Sequence, residues 1–287
     1  MPVDLHTHTT HSDGTFEPSD LIKLARTKNL TAIAITDHDT TSAHTGTISD
    51  GEESEVTLVP GVELSVDADL PGKGHFHLVG LFIDPAHALL NHTLKKLREE
   101  RQKRNQKILD RLKALGMPLS SDELKFESGN GVTGRPHIAA AMVKKGYVNT
   151  IREAFQAYLK KGSPAYVDRM RLDPNQAIDL VHISGGIAVL AHPKSLGFGS
   201  LKDTEEYILS LKNIGLDGIE VYCTGQNEFT SQHLLKFARK NKLVVSGGSD
   251  FHGSIIPEIQ LGTGDGNLNI PDEVYYDLVA YWKEKNY

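Results

Sequence analysis

Short apolar runs alternate with amphipathic stretches along most of the chain. Runs at Val3–His6, Ala32–Thr36, Val56–Val62, Leu78–Ile83, Ile187–Leu190, Gly218–Val221 and Leu243–Val245 are rich in Val, Ile and Leu and read as buried strands. Helical spacing occupies 17–28, with Leu21, Ile22, Leu24 and Ala25 on one face, and then 174–184, 203–213 and 230–240. Strands alternating with helices predict parallel βαβ units, and about seven of them in one domain predict a barrel rather than an open α/β sheet.

The alternation stops between residues 86 and 165. Here the spacing predicts a helix from about Pro85 to Leu115, with Leu90, Leu94, Leu97, Ile108, Leu112 and Leu115 on its apolar stripe. Gly116 and Pro118 end it. Shorter helices follow at 136–144 and 149–161, with no strong strand. The expected organisation is a barrel in two parts, 1–85 and 166–287, with a helical, substrate-binding insertion at 86–165.

Composition narrows the classes. A chain of 287 residues can bury a sizeable core. A formal net charge of −6 excludes a global basic field, so long duplex nucleic acid is not an expected partner. The single cysteine, Cys223, excludes an internal disulfide and a thiolate zinc site and suits a reducing compartment. There is no signal-peptide pattern at Met1-Pro-Val and no apolar window long enough for a membrane span. A cytoplasmic monomer away from membranes is the expectation. The unusual count is 14 histidines, and their positions decide its meaning.

Ionisable groups gather where strands begin or end. The first strand runs into His6-Thr-His8, with Asp13 shortly after. The second ends in Asp37-His38-Asp39, the third in Gly61-Val-Glu63, the fifth in Ala191-His192, and the seventh in Gly248-Ser-Asp250-Phe-His252. His77 opens the fourth. Residues i and i+2 of a strand share a face, so His6 and His8 can converge on one ion, as can Asp250 and His252. In a barrel the strand ends ring a single pocket. So many imidazoles and carboxylates cannot be buried together uncompensated, and metal ions supply the compensation. Such donors suit zinc, iron or manganese. Nine of them exceed the needs of one ion, so two or three divalent ions are implied. Any one histidine alone would more often be an ordinary surface or hydrogen-bonded residue. His11, His44, His75, His87, His92, His182 and His233 lack the placement and are read as non-ligands.

These segments resemble a known family. Asp4-Leu-His-Thr-His8, Ser12-Asp-Gly14, Thr36-Asp-His-Asp-Thr40, Gly61-Val-Glu63, His77-Leu-Val-Gly80, Ala191-His-Pro193 and Gly248-Ser-Asp-Phe-His252 are similar to the motifs of the polymerase-and-histidinol-phosphatase (PHP) family. The resemblance implies a distorted (β/α)7 barrel, related to the amidohydrolases, and a metal-dependent phosphoesterase with a di- or trinuclear site. Its implied ligands are His6, His8, Asp13, His38, Glu63, His77, His192, Asp250 and His252, with Glu63 bridging. His77 is preferred to His75 because it directly precedes Leu-Val-Gly. Within the family, Arg135-Pro-His-Ile-Ala139 and Gly162-Ser-Pro-Ala-Tyr166 resemble a subgroup that removes the 3′-phosphate from nucleoside 3′,5′-bisphosphates and trims short RNA from the 5′ end. Arg169 and Arg171 are further candidate substrate arginines.

The implied chemistry is in-line attack on phosphorus. Bound ions, with manganese expected first and iron or zinc as alternatives, lower the pKa of water and neutralise phosphoryl charge. Asp250 is the expected proton acceptor, Glu63 the bridging carboxylate, and His192 or a third ion the candidate that assists the leaving group. Pro136 at a helix start suits an anion there, so Arg135 is expected to grip the non-scissile phosphate with His137 beside it. The plainer alternative makes Arg135 a surface charge and His137 a packed cap. Nine Lys or Arg between Lys95 and Lys113 could collect an anionic substrate, or could simply form a solvated helix face. Two other functions share the ligand motifs: a histidinol-phosphate phosphatase and an inactive, metal-stabilised scaffold.

Overall fold

The computed structural model describes residues 2–45, 56–68, 70–71, 74–128 and 132–286. One seven-stranded sheet follows chain order: β1 (Asp4–Thr7), β2 (Ala32–Ile35), β3 (Thr57–Val66), β4 (Phe76–Leu81), β5 (Ile187–Leu190), β6 (Gly218–Cys223) and β7 (Val244–Gly248). The helices are α1 (Pro18–Thr27), α2 (Ala88–Ala114), α3 (Ser121–Ser128), α4 (Arg135–Lys144), α5 (Ile151–Ala154), α6 (Pro174–Ile183), α7 (Leu201–Asn213), α8 (Glu228–Lys240) and α9 (Asp272–Asn286). Local chemistry sets their starts. Ser200 and Asn227 accept the third helical N–H of α7 and α8, and Asp173 with Gln176 forms a reciprocal cap on α6.

The sheet curls until its last strand meets its first. Just beyond β7, Thr7 bridges Phe251 in parallel, the Asp250 N–H donates to His6 O at 3.0 Å, and the His8 N–H donates to Phe251 O at 2.9 Å. Gly248 permits this approach, since a Cβ there would lie 2.1 Å from His6 Cβ. The result is a nearly closed barrel.

Strand direction departs from the all-parallel expectation. β4 runs antiparallel to both β3 and β5, while the other pairs are parallel. Residues 67–75 are too few for the helical crossover that a parallel pair requires, so β3 and β4 form a hairpin. β3 also continues to Val66, which puts Glu63 inside the strand rather than at its end. The reversal brings the N-terminal end of β4, with His77, to the rim where the other strands end.

Inside the barrel, Leu5, Ala34, Val59, Val79 and Val189 form one apolar cluster with Val274 and Leu278 of α9. That helix, absent from the sequence expectations, closes the floor of the barrel. Tyr281 and Lys285 donate to Asp217 at 2.8 and 2.5 Å, and Trp282 donates to Gly185 O at 2.7 Å. Helices α6, α7 and α8 cover the outer face around Val62, Leu64, Leu78 and Ile219.

Helix α2 belongs to two cores. Leu90, Leu94 and Leu97 join the barrel's outer cluster, whereas Ile108, Leu109 and Leu112 join a separate cluster with Ile138, Met142, Leu159 and Ala165. Between them, residues 98–107 carry no apolar side chain. The predicted helix at 149–161 is instead the single turn α5 followed by a wide π-helical turn over Phe155–Leu159.

Candidate metal centre

The inward face of each strand changes character along its length. Glu63 shares the face of Val59, and His77 that of Val79 and Leu81, because alternate residues point the same way. Deep in the barrel this face is apolar, and at the rim it becomes imidazole and carboxylate. Three groups of donor atoms, each within 4.8 Å of one another, occupy the rim. His6, His8, Glu63 and Asp250 form one, His8, Asp13, His38 and His252 a second, and His38, Glu63 and His77 a third. His192 joins His75 and His77 in a further group. All nine residues named as ligands from the sequence therefore converge, and His75, set aside at first, converges with them.

Glu63 is central. Its Oε1 lies 2.8 Å from His77 Nδ1, 3.3 Å from His192 Nε2 and 3.4 Å from His6 Nε2. Its Oε2 lies 2.9 Å from His38 Nδ1 and 3.3 Å from His8 Nε2. Asp250 Oδ1 lies 3.2 Å from His8 Nε2 and 3.4 Å from His6 Nε2, and His252 Nε2 is 3.4 Å from Asp13 Oδ1.

The donor set fits divalent cations. His6 Nε2, His8 Nε2, His38 Nδ1, Asp13 Oδ1 and Glu63 Oε2 are buried with no hydrogen-bond partner among the described residues. Buried polar atoms left like this are costly, and a shared cation would satisfy them all. Electrostatics agrees. Burial pushes Glu63, Asp13 and Asp250 up, but the surrounding imidazoles overcome it and hold all three well below the carboxylate range. Burial likewise opposes charge on His8, yet Asp250 and Glu63 push it up to about 10. The field that favours a proton on His8 would equally favour a divalent cation, which would bind in place of that proton.

The far sides of these rings are held as well. His6 Nδ1 meets Glu220 Oε1 at 2.8 Å, His192 Nδ1 meets Ser195 Oγ at 2.7 Å, and His252 Nδ1 donates to Asp250 O at 2.8 Å. His8 Nδ1 lies 3.3 Å from Ser12 Oγ, which donates to Asp37. Asp4 accepts the Ser249 N–H and hydroxyl and the Gly262 N–H, tying the residue before Asp250 to β1. Burial lifts Asp4 to about 6 in spite of these donors. The strand-end reasoning missed Glu220 and Asp4. The one signal for Glu220 was a lone charge inside an apolar run, Gly218-Ile-Glu-Val221.

A cavity of about 400 Å³ joins this rim to the insertion. It is lined by Asp13, His38 and His77, and also by Arg101, Arg104, Arg135, Arg169 and Arg171. The basic run of α2 divides by helix face. Arg101 and Arg104 are buried on the cavity side and Arg98 is half-buried, whereas Arg111 is exposed like Lys95, Lys96, Lys103, Lys107 and Lys113. Arg101 and Arg169 donate to buried Asp39 at 2.5 and 3.1 Å. Burial raises Asp39, and these two cations hold it far below the carboxylate range nonetheless. Arg104 differs. It is 5 % exposed, and no hydrogen bond or ion pair to its guanidinium exists among the described residues. Burial first, and then Arg101, Arg135, Arg169 and Arg171, push its pKa well down.

Arg135 lines the same cavity, its guanidinium 5.6 Å from the Tyr166 ring and 5.9 Å from that of Phe155, with Nη1 donating to Leu159 O at 3.1 Å. It is not a free surface charge. His137 lies elsewhere. It is 1 % exposed, off the cavity wall, and its Nδ1 accepts the Gly134 N–H at 2.9 Å, which is the capping alternative.

Fold and site define a metal-dependent phosphoesterase of the amidohydrolase-like barrel class. The profile of the PHP domain matches residues 4–242, and the chain belongs to that family. Among curated relatives, it is 34% identical to a 5′-3′ exoribonuclease of Haemophilus influenzae, over 94% of this chain and 96% of that one. It is 32% identical to a 3′,5′-nucleoside bisphosphate phosphatase of Chromobacterium violaceum, over 87% of each. Among solved structures, an amidohydrolase of Chromobacterium violaceum with bound sulfate and no metal superposes with a TM-score of 0.83 at 30% identity, over 98% of this chain and 96% of that one. Among the described residues no helix is long and apolar enough to cross a membrane.

Proposed function

We propose that this protein removes the 3′-phosphate from nucleoside 3′,5′-bisphosphates, and that the same site can trim short 5′-phosphorylated RNA. The observation that carries the reading is Arg104, a buried guanidinium without an anionic partner in the cavity that the metal centre opens into. A substrate with two phosphates on one ribose supplies two anions. One belongs at the metal rim, and the other satisfies Arg104 and its neighbour Arg135. The same arginines disfavour histidinol phosphate, whose amine is a cation. The two relatives just described act, by their names, on a bisphosphate and on RNA, and both substrates fit this demand.

His6, His8, Asp13, His38, Glu63, His77, His192, Asp250 and His252 would hold two or three divalent ions, manganese first, with iron or zinc as alternatives. When bound, such ions lower the pKa of water toward neutrality and neutralise charge on the phosphoryl oxygens. The chain's own groups do the rest. Asp250 is the most open carboxylate of the cluster, its side chain 33% exposed, so it can orient a water and accept its proton. Glu63, which reaches His6, His8, His38, His77 and His192, keeps the two sides of the centre in register. Charge on the leaving oxygen would be met by a bound ion, or by a proton from His192 Nε2 where that ring is not itself coordinated. Arg135, clamped between Phe155 and Tyr166, presents its charge without conformational search, and buried His137 serves it indirectly by shaping the start of α4.

Phosphate release from a nucleoside 3′,5′-bisphosphate, with and without a chelator, tests the reading. Chelator-sensitive release is expected, with far less from histidinol phosphate. Arg135→Ala should raise KM for the bisphosphate, and an unchanged KM would remove Arg135 from the reading.

A further inference from the structure

Among the described residues, β6 is the one strand that supplies no side chain to the rim groups of donor atoms, either from within the strand or from just beyond its end. It nevertheless carries Glu220, a carboxylate only 1 % exposed. A buried charge must be matched by donors, and Glu220 has two of them. Oε1 lies 2.8 Å from His6 Nδ1, and Oε2 accepts the backbone N–H of His192 at 2.6 Å. These two residues stand in different donor groups, His6 with His8, Glu63 and Asp250, and His192 with His75 and His77. His192 also adopts a φ of 29°, a left-handed conformation that a residue with a Cβ takes only when its surroundings impose it.

We infer that Glu220 is a positioning residue of the metal centre, holding the His6 ring and the His192 peptide with one carboxylate. Accepting from Nδ1–H leaves the His6 Nε2 lone pair directed at Glu63 and Asp250, where an ion would lie. Accepting the His192 N–H fixes the turn after β5 and aims the His192 Nε2 at Glu63 Oε1, 3.3 Å away. Both neighbours are donors, so both positions on Glu220 must be acceptors. Gln has one oxygen and one NH2 and satisfies only one of them, although its shape is the same. Asp is one methylene too short to reach both.

The inference rests on the metal centre and not on which phosphoester is cut, and its test uses no substrate. Wild type and Glu220→Gln would be stripped with a chelator, compared by circular dichroism and titrated with Mn2+ alone, with free Mn2+ followed by electron paramagnetic resonance. The Gln variant should keep its fold and bind at least one Mn2+ about 10- to 100-fold more weakly. Equal stoichiometry and affinity would overturn the inference, as would a lower melting temperature of the stripped variant with Mn2+ affinity unchanged. Should the variant fail to fold, wild type loaded with Zn2+ and labelled with 15N-histidine decides it. The His6 imidazole should carry its proton on Nδ1, and a bare Nδ1 would refute the role.

Discussion

Replacing Arg104 by Met isolates the charge, because Met keeps most of the stem that packs between α2 and the cavity. In the free protein the guanidinium is buried among four other arginines without an anion, so its loss should not destabilise the fold. Each kcal/mol of relieved repulsion would raise Tm by about 2–4 °C in a chain of this size. With substrate the sign reverses. A charge-assisted contact from a buried guanidinium to phosphate contributes about 3 kcal/mol at the upper end, roughly 150-fold in kcat/KM. A nucleoside 3′-monophosphate lacks the second anion, so its kcat/KM should change by less than about threefold on the same substitution. Enzyme and substrate truncations thus form a cycle whose coupling measures the contact directly. The assay is phosphate release on both substrates in both proteins, together with a melting curve. A lower Tm with no loss specific to the bisphosphate would refute the reasoning and make Arg104 a structural residue.

Three other outcomes are expected. Stripping metal should lower Tm, since ions at a hundredfold excess over Kd stabilise by about 2.7 kcal/mol per site, and calorimetry with and without Mn2+ measures it. Gly248→Ala should cost at least about 1–3 kcal/mol through overpacking and reduce bound Mn2+, because the new Cβ would fall 2.1 Å from His6 Cβ at the barrel seam. For Asp217, burial pushes its pKa up, but His182, Lys285 and the Ala188 N–H outweigh that and hold it below its ordinary value of 3.8. A depressed carboxylate contributes stability that is present above the unfolded pKa and lost as pH falls through the folded one. Denaturant titrations of the metal-free protein should therefore show Asp217→Asn shallower by up to one proton below about pH 4. An unchanged slope would show that the floor latch carries no such linkage.

Much of the barrel and rim was legible because both rest on periods of two and on residue chemistry. Leu5, Ala34, Val59 and Val189 lie in runs that can only be buried strands. His6, His8, Asp250 and His252 pair at i and i+2, so one register statement places two donors. The direction of β4 was missed because pattern identifies a strand and says nothing of its sense, although the short, Gly- and Pro-bearing link before Phe76 carried the clue. Helix α9 was missed because its contacts use Tyr281, Trp282 and Lys285 as much as an aliphatic stripe. The burial of Arg101 on α2 depends on its pairing with Asp39, more than fifty residues upstream, which no local period reports. His137 was read as a substrate residue when its ring is used to cap its own helix.

Helix α2 can also be regarded as a shaft with a phase. It is anchored at one end by Leu90, Leu94 and Leu97 and at the other by Ile108, Leu109 and Leu112, and only the polar turns between them carry the cavity arginines. Because β4 runs away from the rim, the shaft starts near the barrel floor, where the Asp84 N–H meets Ser184 O, and must climb to the rim. At 1.5 Å per residue its 27 residues reach about 40 Å. One residue added between 98 and 107 would turn the whole insertion by about 100° and swing Arg104 off the cavity, whereas seven would restore the angle to within about 20°. Even insertions that keep the phase, such as seven, eleven or eighteen residues, would lengthen the shaft by about 10 Å or more, so the sense of one strand in the barrel wall fixes both the angle and the length of this segment.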